Sequence, residues 1–122
     1  MRQKYGNKKV EHKGLVFDSK KERNRYVTLL NLERAGLIKD LRRQVPFEIV
    51  PAVYVQEERQ LKTKVKIVER CVQRAAHYVA DFVYNDMEGN VIVEDTKGYR
   101  TSEYLLKKKM MRAFLGIEIK EV

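Results

Sequence analysis

The sequence is poor in residues that cross-link a chain or bind soft metals. Its 122 residues include a single cysteine, Cys71, and only two histidines, His12 and His77. One cysteine excludes an internal disulfide and a Cys-rich zinc site, and it suits a reducing compartment. Cys71 itself reads as a small, half-buried residue. Two isolated histidines read as structural rather than as metal ligands. No window approaches the apolar length of a bilayer span. The basic N-terminal stretch "MRQKYGNKKVEHKG" lacks the apolar core of a secretory signal. No repeat, low-complexity tract or linker interrupts the chain, so one domain over residues 1–122 is expected.

What the sequence has in excess is positive charge. Lys and Arg number 26 against 17 Asp and Glu, a formal charge of +9. A small domain this basic suits a polyanion. Charge alone does not separate nucleic acid from a membrane surface or an acidic protein.

The periodicity predicts two helices among many strands. "KKVEHKGLVFDS" alternates around Lys13-Gly14, which suits a small hairpin. "SKKERNRYVTLLNLERAG" reads as a helix, with Tyr26, Val27, Leu29 and Leu30 as its apolar stripe and Gly36 as its stop. Ser19 and Glu22 have the spacing of a capping box. "LIKDL" and "FEIV" read as two short strands around Pro46, the second broken by Pro51. Residues 54–74 fit an extended hairpin arm or a short helix. Two strands follow at about 77–84 and 91–97. "TSEYLLKKKMMRAFLG" reads as a second helix, capped by Thr101 or Ser102, ended by Gly116, with Leu106, Met110 and Phe114 facing the core. "IEIKEV" alternates as a last strand. The class is therefore α/β or α+β with a mixed sheet.

The central hairpin, "YVADFVYNDMEGNVIVEDTKGY", carries acids where apolar residues are expected. By strand parity Val79, Asp81, Val83, Val91, Val93, Asp95 and Lys97 share one face, and Tyr78, Ala80, Phe82, Tyr84, Ile92, Glu94 and Thr96 share the other. A five-residue loop at 86–90 pairs Asn85 with Val91 and sets Asp81 opposite Asp95. Opposed carboxylates in a partly apolar sheet repel each other, and a divalent cation between them removes the conflict. Hard oxygen ligands suit Mg²⁺ or Mn²⁺. Lys97 stands on the same face, in reach of charge developing on a phosphate. A four-residue loop instead pairs Asp81 with Glu94 and leaves no site.

The pattern Asp81, a hairpin, then Asp95-Thr96-Lys97 resembles the core of the PD-(D/E)xK nuclease superfamily, with Ala80 standing where the motif has Pro. The stretches "NKKVEHKGLVFDSKKERNRY", "LERAGLIKDLRRQVPFEI" and "LKKKMM" are similar to small phage and prophage proteins assigned to that superfamily. Residues from about 54 to 72 match poorly and look like an insertion. The resemblance implies a restriction-endonuclease-like fold, a mixed central sheet flanked by helices. It implies a Mg²⁺- or Mn²⁺-dependent DNA endonuclease, acting on branched DNA such as Holliday junctions, and a homodimer in the cytoplasm of a bacterium or phage-infected host. It adds Glu22, the acid of the first helix, to Asp81 and Asp95 as a metal ligand, keeps Lys97 as a catalytic residue, and brings Gln44 near the site. Lys20 and Lys21 at the first helix N-terminus, and Lys107, Lys108, Lys109 and Arg112 on the second helix, read either as solvated faces or as DNA contacts. The rival readings are a non-catalytic DNA-binding module of the same fold and a nuclease directed at RNA.

Overall fold

The computed structural model describes residues 8–97 and 99–122. Lys13 and Gly14 have φ of 48° and 84°, the two left-handed residues that a two-residue hairpin turn needs. They fold β1 (Val10–His12) onto β2 (Leu15–Phe17). Ser19 then opens α1 (Lys20–Arg34), its Oγ accepting the Glu22 N–H at 3.1 Å. Ala35 caps the far end, and Gly36, with φ of 78°, turns the chain away.

The body is a four-stranded sheet in the order β3 (Lys39–Val50), β6 (Ala76–Asn85), β7 (Val91–Asp95), β8 (Lys120–Glu121). The first three are antiparallel, and β8 joins β7 in parallel. α1 covers one face, where Leu29 packs with Ile38, Phe82 and Tyr84. α2 (Ser102–Leu115) covers the other, where Tyr104 and Met111 pack with Tyr78, Ala80, Val83 and Val93. The fold is thus α+β, as expected, with a mixed sheet between two helices. Leu29 is wholly buried, so truncation to Ala is expected to cost about 2–5 kcal/mol. Neither helix is long and apolar enough to cross a membrane.

Several boundaries differ from the sequence expectation. The two strands around Pro46 are one continuous strand, β3, of 12 residues. β3 lies at the sheet edge, where a missing N–H need not interrupt a second ladder. The expected strand 117–122 pairs only at Lys120–Glu121, which lie beside Glu94 and Asp95 at the end of β7. On α2 the buried residues are Tyr104 and Met111, while Leu106 and Phe114 are 57% and 62% exposed. Residues 54–74 form an arm, β4 (Val53–Gln60) paired with β5 (Val65–Gln73). Cys71 lies on this arm and is exposed rather than half-buried.

The largest departure is inside β6. Tyr78 and Ala80 belong to the α2-side core, whereas Phe82 and Tyr84 belong to the α1-side core. Strict alternation would put all four on one face. The opposite strand changes sides at the same level: Val45 packs on the α2-side core, while Arg43 lies over the Phe17 and Tyr26 rings. Between them Gln44 has φ of 50°, in the left-handed region that few side-chain-bearing residues adopt. Both strands therefore twist over at Gln44 and Asp81, and the face assignment drawn from parity fails there.

Candidate active site

The loop between β6 and β7 fixes the register. Asp86 Oδ1 accepts the N–H groups of Glu88 and Asn90 at 2.9 and 2.8 Å, and Gly89 supplies φ of 85°. The ladder then runs from Asn85↔Val91 to Phe82↔Glu94. This is the five-residue loop; the paired ladder stops at Phe82↔Glu94, and its count carried one residue further matches Asp81 with Asp95.

The two acids reach different partners. Asp81 Oδ2 accepts the Thr96 N–H at 2.9 Å and the Thr96 hydroxyl at 2.8 Å. Its Oδ1 accepts Gln44 Nε2 at 3.3 Å, and the same amide donates to Glu22 Oε1 at 2.9 Å. Asp95 is wholly buried. Its Oδ2 accepts the Tyr78 hydroxyl. Among the described residues its Oδ1 has no other partner than the Lys97 ammonium, 3.2 Å away as an ion pair. Lys97 Nζ also lies 4.7 Å over the Tyr104 ring.

Electrostatics tie the three carboxylates together. Burial, then the charge of Asp81, push the Asp95 carboxyl up to about 6 against the relief given by Tyr78 and Lys97. Burial, then Asp81, also raise Glu22, which is 2% exposed. Asp81 is thus the charge common to both neighbours. Glu22 does act at the helix start, but its Oε2 accepts the Asp18 N–H at 3.1 Å rather than that of Ser19. Its other oxygen is left for Gln44, so the capping and site roles use different atoms.

The structure therefore brings Asp81, Asp95, Lys97, Glu22 and Gln44 into one connected set. Lys21 joins its rim, donating to the Lys97 carbonyl at 3.3 Å, while Lys20 is exposed and apart. Of the α2 cations, Lys108, Lys109 and Arg112 line one shallow hollow with Glu118 and Ile119, while Lys107 borders the groove beside Lys97. Consecutive helical residues point about 100° apart, so Lys107 faces a different side from the Lys108–Lys109–Arg112 group. Lys107 pairs with Glu103, Lys108 with Glu121 and Arg112 with Glu118. A groove of about 250 Å³ opens beside Lys97, with His77, Tyr78, Tyr104 and Lys107 among its walls.

The fit to a divalent ion is partial. The donors are hard oxygens, and Asp95 Oδ1 is a buried acceptor with no partner but the Lys97 ammonium among the described residues. Among the described residues, however, no three of His, Cys, Asp and Glu are gathered as a ready ion cage.

Sequence reasoning missed a third buried acid. Glu94 is wholly buried and takes both arms of the Arg25 guanidinium, at 2.8 and 2.7 Å, plus the Tyr84 hydroxyl. It also missed Tyr78 as the partner of Asp95. The available signal was the pair of tyrosines in an otherwise apolar strand, since a buried phenol usually finds a hydrogen-bond acceptor.

Fold and site together define an α+β domain whose central hairpin buries a carboxylate between a second acid and a lysine. The chain belongs to a family described as proteins of unknown function (DUF1064), whose model matches residues 2–120. No curated protein and no solved structure matches the chain.

Proposed function

We propose that this chain is a metal-dependent DNA endonuclease with a restriction-endonuclease-like core, a homodimer acting in the cytoplasm on branched DNA. The observation that supports it most is the wholly buried Asp95 carboxylate, ion-paired with Lys97 and under the charge of Asp81. A binding module gains nothing from acids that raise one another's proton affinity in its core.

In this reading Asp81, Asp95 and Glu22 would hold Mg²⁺ or Mn²⁺, and the Gln44 amide, which donates to both Glu22 and Asp81, keeps those two acids together. The ion, when bound, neutralises charge at the scissile phosphate and makes a water more acidic. Lys97 supplies a fixed positive charge for the negative charge that grows on the phosphate oxygens. Tyr78 orients Asp95 by its hydroxyl, and Thr96 orients Asp81 by two hydrogen bonds. The groove beside Lys97 offers room for the backbone of the nucleic acid.

The test is cleavage of duplex, flap and four-way-junction DNA, and of matching RNA, with Mg²⁺, with Mn²⁺ and with EDTA. Cleavage of DNA that needs the ion and is lost in Asp81→Asn and Lys97→Ala supports the proposal. Intact substrates under all conditions, from protein that binds DNA, favour the non-catalytic module. Sedimentation velocity checks the dimer.

A further inference from the structure

The arm formed by β4 and β5 is the least packed part of the molecule. Every residue of β4 is exposed, and all of β5 except Val68. Its strands pair with each other over about eight residues and join no other sheet, giving a ribbon about 27 Å long. A lone two-stranded hairpin is marginal in water, so a ribbon of this length needs a partner to hold its shape.

The charge on the ribbon is arranged along its length. Glu57, Glu58 and Glu69 lie toward the body, and Glu57 pairs with Arg70 at 2.6 Å. From Arg59 to Lys66 there is no acid, and the four cations Arg59, Lys62, Lys64 and Lys66 are all exposed. None of the four is in an ion pair among the described residues. Arg59 and Lys66 stand directly opposite each other in the ladder, where like charges cost stability. Lys62 lies within, and Lys64 ends, the turn that Leu61 N–H closes on the Lys64 carbonyl at 2.8 Å. Most cations of α2, by contrast, are matched by acids of this chain.

We infer that the tip of the β4–β5 arm is a docking surface for duplex DNA, with Arg59, Lys62, Lys64 and Lys66 contacting backbone phosphates. A phosphate between Arg59 and Lys66 removes their repulsion, and a two-stranded ribbon fits the width of a B-form major groove. The choice of ligand rests on the nucleic-acid reading above; the placement of the contact rests on the arm alone.

The experiment is anisotropy of a labelled DNA duplex over a KCl series in EDTA. It compares wild type with a variant carrying Arg59→Gln, Lys62→Gln, Lys64→Gln and Lys66→Gln. Four lost phosphate contacts make the log–log salt slope shallower by up to about 3.6, and a drop of about 3 is expected, with a melting temperature no lower than that of wild type, since the Arg59–Lys66 repulsion is removed. If the quadruple variant misfolds, the turn variant Lys62→Gln, Lys64→Gln is expected to lose about 1.8. A wild-type slope in the variants overturns the inference, as does wild-type protein that binds no duplex at the lowest salt. A variant that changes from dimer to monomer also overturns it and makes the arm a contact between two copies. Loss of binding to phosphatidylserine vesicles with an unchanged DNA slope overturns it in favour of a membrane surface. If the slope falls as expected while no substrate is cleaved, the arm stands and the nuclease proposal falls.

Discussion

Ala80 and Phe82, two residues apart on one strand, lie in hydrophobic cores on opposite faces of the sheet. The residue between them is Asp81, and its neighbour across the edge is Gln44, held at φ of 50°. The twist lets one amide donate to both Glu22 and Asp81. Gln44→Ala removes that donor and leaves a buried Glu22 oxygen unmatched. The expected loss is about 1–3 kcal/mol. Because the ionised form of Glu22 is the one that needs the donor, the loss is larger at pH 8 than at pH 5. Denaturant melts at the two pH values check this. Equal losses would mean that Gln44 acts through its backbone conformation rather than through its amide.

The third buried acid makes a different demand. Glu94 is neutralised by a two-pronged Arg25 contact and by Tyr84. Arg25→Ala leaves the buried charge with only the Tyr84 hydroxyl and the largely exposed Lys120 ammonium 4.0 Å away, and is expected to cost about 3 kcal/mol. The double variant Arg25→Met, Glu94→Gln should recover most of that loss, because no charge is left unpaired. Urea melts of the two variants measure the difference. A double variant no more stable than Arg25→Ala would show that packing of the Arg25 stem matters more than its charge.

The sequence made the frame of this site legible, and one local twist hid its detail. Loop length could be counted from "NDMEGN", and with it the count that matches Asp81 with Asp95. The capping of α1, the stop at Gly36 and the Lys13-Gly14 turn all follow from short-range chemistry. The faces of β6 did not follow, because the switch at Asp81 depends on a left-handed residue in another strand, 37 positions away. Pro46 misled for a related reason, since its tolerance depends on β3 being an edge, which only the sheet order decides. The core face of α2 was only partly legible: Met110 does pack at the edge of the core, but Leu106 and Phe114 share its helical spacing and are exposed, and the sheet packs chiefly on Tyr104 and Met111.

The cations of α2 give a prediction that separates them from the arm. Lys107 and Lys108 lie 3.1 and 3.2 Å from carboxylates of this chain, so a phosphate would have to displace those partners. Only the exposed Lys109 remains for a contact without such a cost. The triple variant Lys107→Ala, Lys108→Ala, Lys109→Ala is therefore expected to make the salt slope shallower by no more than about 0.9. Anisotropy titrations read this directly. A fall of 2 to 3 units, on the order of three contacts, would put the helix against DNA and mean that its ion pairs open on binding.

Asp95 gives the sharpest pH test. Its carboxyl is raised to about 6, above the ordinary value near 4. Between those values the folded state binds the proton more tightly than the unfolded one. The stability it contributes is therefore present below about pH 4 and is lost as pH rises through about 6, by about 2–3 kcal/mol in total. Asp95→Asn abolishes this titration. Asn can still accept the Tyr78 hydroxyl, but it gives up the ion pair with Lys97. The expected net gain at pH 7 in EDTA is about 1 kcal/mol or more, a rise of a few degrees in melting temperature. At pH 4, where the wild-type carboxyl is already neutral, the gain should vanish. Thermal melts of the two proteins at both pH values decide it. A variant less stable than wild type at pH 7, yet folded, would show that Lys97 and Tyr78 hold the charged form of Asp95 better than burial and Asp81 oppose it. In that case relief of repelling acids could no longer be the reason to place a cation between them.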